Sequence, residues 1–417
     1  MIVNFKLRYL AKITLYLIIC QVVLFRFLNI QRYANKILLV CEVICLIWGA
    51  KRYINFNKWI IVFIGILVAN GLSFGFGTNF RSNVLMLLYP LMDILFLCWY
   101  LNKYEESSVR MIKKMCFSLN AYMWVNILVM LIQMKGTYFM VGLSDWENPA
   151  YWDLISGLFG YSTTHVVCMF SSFVILYDVV SLKTISGYKK KMMKFNIALL
   201  IVILSSMSIV NDNIAFFIVA PISLIYWFLF SNNLKKVSRL EKMLLIFLII
   251  IVIVAIIAVL FPSSKTYLYE EIFYKFVGVF QMANKGTDVT HGSMERIAQI
   301  VYGLNSLNGW KLGAGLDEVG LFHDEYFGFA HFGLANAGGM VCLCGIWSWL
   351  SLCLSYSELA CKFIDYRRKK HLLIFFIILF VILLSVYTTL FTDISIALSA
   401  FFIAIPFWYA KRINIIN

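Results

Sequence analysis

The most constraining feature of this chain is the recurrence of long apolar runs, each roughly twenty residues, separated by short segments that carry most of its charge. At a rise of about 1.5 Å per residue, a run of that length spans the hydrocarbon of a bilayer as a helix. Lipid offers no partner to a free amide or carbonyl, so such runs fold as helices or not at all. Twelve fit the pattern, at approximately 10–28, 37–50, 58–76, 84–101, 115–134, 164–182, 195–210, 214–230, 243–261, 327–354, 372–390 and 394–409. Composition agrees. The 417 residues are 62% hydrophobic and 14% charged, whereas a soluble chain is about half apolar and a quarter charged. The expected fold class is an all-α polytopic membrane protein of about 12 transmembrane helices.

Charge sets the expected orientation. With twelve spans and both termini cytoplasmic, 26 of the 36 Lys and Arg residues fall in inner segments and 10 in outer ones. The inverted arrangement would oppose the positive-inside bias. The net charge of +15 comes from short clusters between spans, such as Lys189-Lys190-Lys191 and Arg367-Arg368-Lys369-Lys370. They suit loops facing anionic lipid, and we expect no nucleic-acid partner. The apolar stretch from Ile13 to Phe25 is followed by Arg26, Arg32 and Lys36 rather than by a small-residue cleavage site, so it reads as a retained first span.

Three regions follow. Residues 1–261 carry nine spans and an outer loop near 135–163. Residues 262–326 form one large extracytoplasmic loop, and 327–417 carry the last three spans. Within the large loop Met294, Ile297, Ile300, Val301 and Leu304 recur at helical spacing, which predicts a short amphipathic helix on the membrane surface. The inner loops leave no room for a cytoplasmic catalytic module. No G-x-x-x-x-G-K-[ST] occurs, so nucleotide-driven transport is unsupported. The ten cysteines lie in or beside apolar runs and suggest no disulfide framework. Neither the C-x-C at Cys342 and Cys344 nor the acidic residues of the large loop have spacing that fixes a metal. We expect no metal and no cofactor.

The polar chemistry of the outer segments is concentrated after residue 293. Arg296 opens the amphipathic stretch, and Gly309-Trp310-Lys311-Leu312-Gly313-Ala314-Gly315 supplies a glycine-rich turn. His323-Asp324-Glu325-Tyr326-Phe327 then precedes the tenth run, with His331 and Gly333 following. This order resembles the bacterial polysaccharide polymerase and O-antigen ligase superfamily, whose outer loop carries an Arg, a G-x-G and an H-N-x-Y-L entry to the next helix. Ser156-Gly157-Leu158-Phe159-Gly160 is similar to a second motif of that family, and Ser205-Ser206-Met207-Ser208 stands where it often has S-x-S-R. The chain departs from the pattern with Asp324 in place of Asn, and with Asn211-Asp212-Asn213 near the missing arginine.

The resemblance implies a family C-like membrane glycosyltransferase of the bacterial plasma membrane with its active site facing outward. Its nearest subgroup is the Wzy-type polymerases, which move a growing glycan from polyprenyl diphosphate to a hydroxyl of the next lipid-linked repeat. Implied partners are the polyprenyl-diphosphate-linked donor and acceptor, membrane lipids, and flippase and chain-length regulator proteins. In that chemistry arginine suits the departing diphosphate, since its planar fork is always cationic and matches phosphate oxygens. Arg296 and Arg81 both fall outside. His323, with an ordinary pKa near 6.5, suits a general base. His331 is a further diphosphate ligand. His165, Asp324 and Asp212 are lesser candidates. The plain alternatives are snorkelling for Arg296, a lipid headgroup contact for Arg81, a helix N-cap neighbour for His323, a packed or pore-lining histidine for His331, a helix-end position for His165, and capping for Asp212 and Asp393. Asp93 and Asp178 lie inside apolar runs, where a carboxyl implies a partner or a function. A ligase of the same fold, a flippase or transporter for lipid-linked glycans, and a noncatalytic partner of a synthesis complex are the rival readings.

Overall fold

The structure, a computed structural model, describes residues 2–49, 57–137, 154–161, 163–210, 215–230, 293–318, 321–322, 330–331, 336–364 and 370–416. At 2–6, 218, 228–230, 293–298, 321–322, 330–331, 370–373 and 414–416 it describes the backbone alone. The described helices are α1 (Ile2–Val23), α2 (Gln31–Gly49), α3 (Lys58–Phe74), α4 (Thr78–Lys103), α5 (Glu105–Gln133), α6 (Thr164–Ser181) and α7 (Gly187–Val210). They continue with α8 (Ala215–Phe230), α9 (Ser293–Ser306), α10 (Ala337–Cys344), α11 (Ile346–Ile364), α12 (Lys370–Tyr387), α13 (Ile394–Phe402) and α14 (Ala404–Ile416). Among the described residues the only strands are β1 (Leu321–Phe322) and β2 (Ala330–His331), an antiparallel pair two residues long.

Among the described residues, five stretches are long and apolar enough to cross a membrane: α4, α5, α6, α7, and the α13–α14 run Ile394–Ile413. The chain therefore has the build of a helical membrane protein. α6 is its centre, buried along almost its whole length and packed by α5, α7, α8, α13 and α14. Small residues permit that approach. Ser172 of α6 donates back to the Cys168 carbonyl at 2.7 Å, and in α11 the buried Ser351, Ser355 and Ser357 do the same one turn back. Such hydroxyls satisfy themselves within their own helix and let neighbouring backbones come close.

The bundle has two distinct ends. At one, Arg26 after α1 pairs with Asp393, whose carboxylate also accepts from the Ser395 and Ile396 amides and so caps α13. At the other, Arg412 pairs with Glu105 at 2.7 Å, and the Trp408 indole donates to Asn102 at 3.0 Å. Asp178 of α6 is fully buried and accepts from Asn120 (2.8 Å) and Asn196 (3.2 Å), which tie α5 and α7 to α6. Its partners are these two amides and the Cys116 thiol at 3.8 Å, which answers the question its position in an apolar run raises.

Several expected boundaries are corrected. The run 327–354 is not one helix. Residues 330–331 are strand, Asn336 caps an eight-residue α10, Gly345 interrupts with φ 81°, and α11 continues to Ile364. The glycine-rich, aromatic stretch 327–333 favours helix poorly, which is why hydropathy alone misplaces the start. α5 begins at Glu105 and α7 at Gly187, so basic segments read as inner loops are largely helical. The run 243–261 lies outside the described residues.

Candidate functional site

The Asp393 end gathers segments far apart in sequence. α3 and α4 are joined there by Gly75–Gly77, and the first turns of α4 hold the glycine-rich segment that follows α9. The Asn79 side chain donates to the Asp317 carbonyl at 3.1 Å and Asn83 to the Leu316 carbonyl at 2.8 Å. The Phe80 amide donates to the Asp317 carboxylate at 3.1 Å, so Asp317 occupies an amide that the helix start leaves free. One turn below, the fully buried Asn70 of α3 donates to the carbonyls of Leu312 (2.9 Å) and Leu343 (3.2 Å) and accepts from the Leu316 amide (2.9 Å). Three of its hydrogen-bonding positions are filled, by three different backbone groups.

From its other side the same segment is fastened to α10. The Ala314 amide donates to the Cys342 carbonyl (2.7 Å), Gly315 to Leu343 (3.1 Å), and Ile346 to the Gly309 carbonyl (2.7 Å). Gly313 has φ 71°, and a β-carbon there would lie 2.5 Å from the Cys342 oxygen, so only glycine fits. The glycines thus serve close backbone approach, and their amides point to carbonyls rather than to an open anion cradle.

The structure places the candidate residues unevenly. Arg81 is exposed in the first turn of α4, two residues from Asn79 and two from Asn83, both of which hold the loop segment. The backbone of Arg296 lies in α9. This helix docks through Gln299, whose carbonyl accepts from Cys342 Sγ at 3.5 Å, and through Gly303, where a β-carbon would meet Cys342. α9 is the short helix the spacing predicts, but Ile300 and Leu304 are half-buried against the protein core instead of facing lipid alone. The 331 backbone pairs with 321 in the β1–β2 ladder, so it is not two helical turns beyond His323 on one face. His165, half-buried at the start of α6, stacks on Tyr387 with ring centres 5.6 Å apart. His323, Asp324 and Asp212 lie outside the described residues. The structure therefore brings Arg81 and the loop that follows Arg296 to one end of the bundle.

The 156–160 motif is at the same end. The Gly157 amide donates to Gln133 Oε1 and the Leu158 amide to Asn126 Oδ1, both at 2.7 Å, and Phe159 is buried edge-on to Tyr122 and Phe170. It fastens the chain between α5 and α6. At the opposite end burial pushes the Lys183 ammonium down, with the Trp227 ring 4.5 Å away, and pushes the Tyr104 phenol up.

Two apolar cavities open between helices. One lies among α8, α11, α12, α13 and α14 and is lined by Tyr356, Phe380, Leu384 and Phe407. Another lies among α1, α4, α5, α6 and the α13–α14 run. Sequence reasoning passed over Asn70, Asn126 and Gln133, although a buried amide in an apolar run is itself a signal. It also passed over Glu42, which meets Asp93 in the core. No group of metal-binding side chains occurs among the described residues. Compared with known protein families, curated proteins and solved structures, neither the sequence nor the fold finds a match.

Proposed function

We propose that this chain polymerises lipid-diphosphate-linked oligosaccharide repeat units at the outer face of the plasma membrane, with the Asp393 end of the bundle outward. The observation that carries the reading is the fastening of the 309–317 segment to the first turns of α4, which puts Arg81 beside the loop that Arg296 opens. A diphosphate leaving group needs held positive charge at a membrane surface, and two arginines from separate segments can supply it without metal or cofactor. His323 takes the proton of the attacking hydroxyl, and His331 is a further phosphate contact. The apolar cavities offer the lipid chains a place between helices. A twelve-span topology with both termini inside belongs to the same proposal, as does the order of motifs shared with the polymerase and ligase superfamily.

The test is replacement of Arg296, Arg81 or His323 by Ala in the native host, followed by sizing of the lipid-linked glycans. Loss of one well-placed donor should lower polymerisation by about 10²–10³-fold and leave single repeats at the outer face. Long chains retained on lipid would mark a ligase, and units trapped inside a flippase. Unaltered polymer from the Arg296→Ala and His323→Ala proteins would remove those residues from the site.

A further inference from the structure

One face of α1 changes character along its length. Leu15, Ile19 and Val23 line the apolar cavity between α1 and α5, and Arg8 and Lys12 precede Leu15 at the spacing of the same helical face. Met111, Met115 and Leu119 of α5 supply the facing wall. α1 packs on α2, α4 and α13 but not closely on α5, and Ser118, on the α5 side of the cavity, is exposed. The cavity is therefore a slot open to the side. Toward the Asp393 end it is closed, where the Tyr122 hydroxyl donates to the Val23 carbonyl at 2.7 Å. From Met111 to Tyr122 it runs about 16 Å at the helical rise, close to the roughly 15 Å of hydrocarbon in one leaflet.

The mouth at the Arg412 end carries charge that the protein leaves unanswered. The Arg8 guanidinium lies over the Tyr104 ring at 5.7 Å and the Lys12 ammonium over the Tyr16 ring at 5.8 Å, and both residues are exposed. The carboxylates nearby are taken, Glu105 by Arg412 at 2.7 Å and Glu106 by Arg110 at 3.3 Å. Among the described residues neither Arg8 nor Lys12 is paired with a carboxylate. On α5, Ser108 stands one turn before Met111 on the slot face. It is 1% exposed, and its hydroxyl has no partner among the described residues.

A ligand that answers all of this joins an apolar chain to an anionic head rich in acceptors. We propose that the slot holds one acyl chain of an anionic phospholipid from the leaflet at the Arg412 end. Its phosphate lies on Arg8 and Lys12, and an ester carbonyl accepts from the Ser108 hydroxyl. A zwitterionic head would bring its own ammonium beside these cations and is the poorer fit. Arg81 is at the opposite end of the bundle, so a lipid whose head lies there leaves this charged mouth free. The site does not depend on glycan chemistry.

The experiment uses the full chain, stripped of lipid in detergent, with phosphatidylglycerol or phosphatidylcholine of matched chains added. Bound lipid is counted by native mass spectrometry. One phosphatidylglycerol per protein is expected at concentrations where phosphatidylcholine does not bind. Arg8→Gln and Lys12→Gln should each weaken binding about fivefold, the worth of one basic residue near a lipid surface. Lys189→Gln, which removes an exposed cation from the start of α7, should leave it unchanged. Met115→Trp fills the slot and keeps every cation, and the folded variant should bind none. Equal binding of the two phospholipids overturns the proposal, as does a loss in Lys189→Gln as large as in Arg8→Gln. Binding retained in folded Met115→Trp overturns it too. If polyprenyl phosphate, supplied together with phosphatidylglycerol, takes the site instead, the slot belongs to the glycan carrier and the proposal fails.

Discussion

Asn70 sits in an apolar helix and buries an amide for which lipid-like surroundings offer nothing, so its value lies in the three backbone groups it meets. Replacing it by Ala would orphan the Leu316 amide and the Leu312 carbonyl at once. Each unsatisfied buried group costs about 1–3 kcal/mol. Asn70→Ala should therefore lower the thermal unfolding midpoint and expose the 309–317 segment to protease, read by gel after limited digestion. An unchanged digestion pattern would mean that the segment is held without Asn70. The sequence shows only that a polar residue interrupts an apolar run. Its partners lie some 240 residues away, and no local spacing encodes such a contact. Gln133 and Asn126 are hidden in the same way. Asp393 was easier, because a carboxylate just before a helix caps by local geometry alone.

At the scale of elements, the break between α10 and α11 sets where the loop docks. Gly345 has φ 81°, and a β-carbon there would lie 2.2 Å from the Lys311 carbonyl oxygen, a backbone atom that cannot swing away. Gly345→Ala should cost about 1–3 kcal/mol in backbone strain before the clash is counted, and should loosen the 309–313 segment. Gly65→Ala in α3, where nothing lies within 4 Å, is the matched comparison and should leave thermal stability equal or slightly raised. Equal melting of the two variants would contradict this account of the break. Hydropathy reads 327–354 as one span because α10 and the start of α11 are both apolar. The interruption depends on a single glycine whose conformation is decided by what it touches. α4, by contrast, was legible at its C-terminal end, but it begins at Thr78, six residues before the expected 84, because its first turns are polar and hydropathy does not register them.

For the whole molecule, the physics of the bilayer made the class readable: backbone polar groups must be satisfied within each segment, so apolar runs imply helices. Which ends of which helices meet was not readable, because the bundle is closed by Arg26–Asp393, Asn79–Asp317 and Glu105–Arg412, each joining residues more than 200 positions apart. The candidate site shares this character: its motifs could be seen in order along the chain and on one expected side of the membrane, but the contact between the first turns of α4 and the glycine-rich segment could not. The central claim is that this end of the bundle joins lipid-linked repeats. Its most direct measurement uses the purified protein in liposomes that carry a single polyprenyl-diphosphate-linked repeat unit, with products sized by gel and free polyprenyl diphosphate assayed. The account predicts a ladder of longer lipid-linked glycans with one diphosphate released for each repeat added. Repeats that remain single, or that cross the bilayer unchanged, would contradict it.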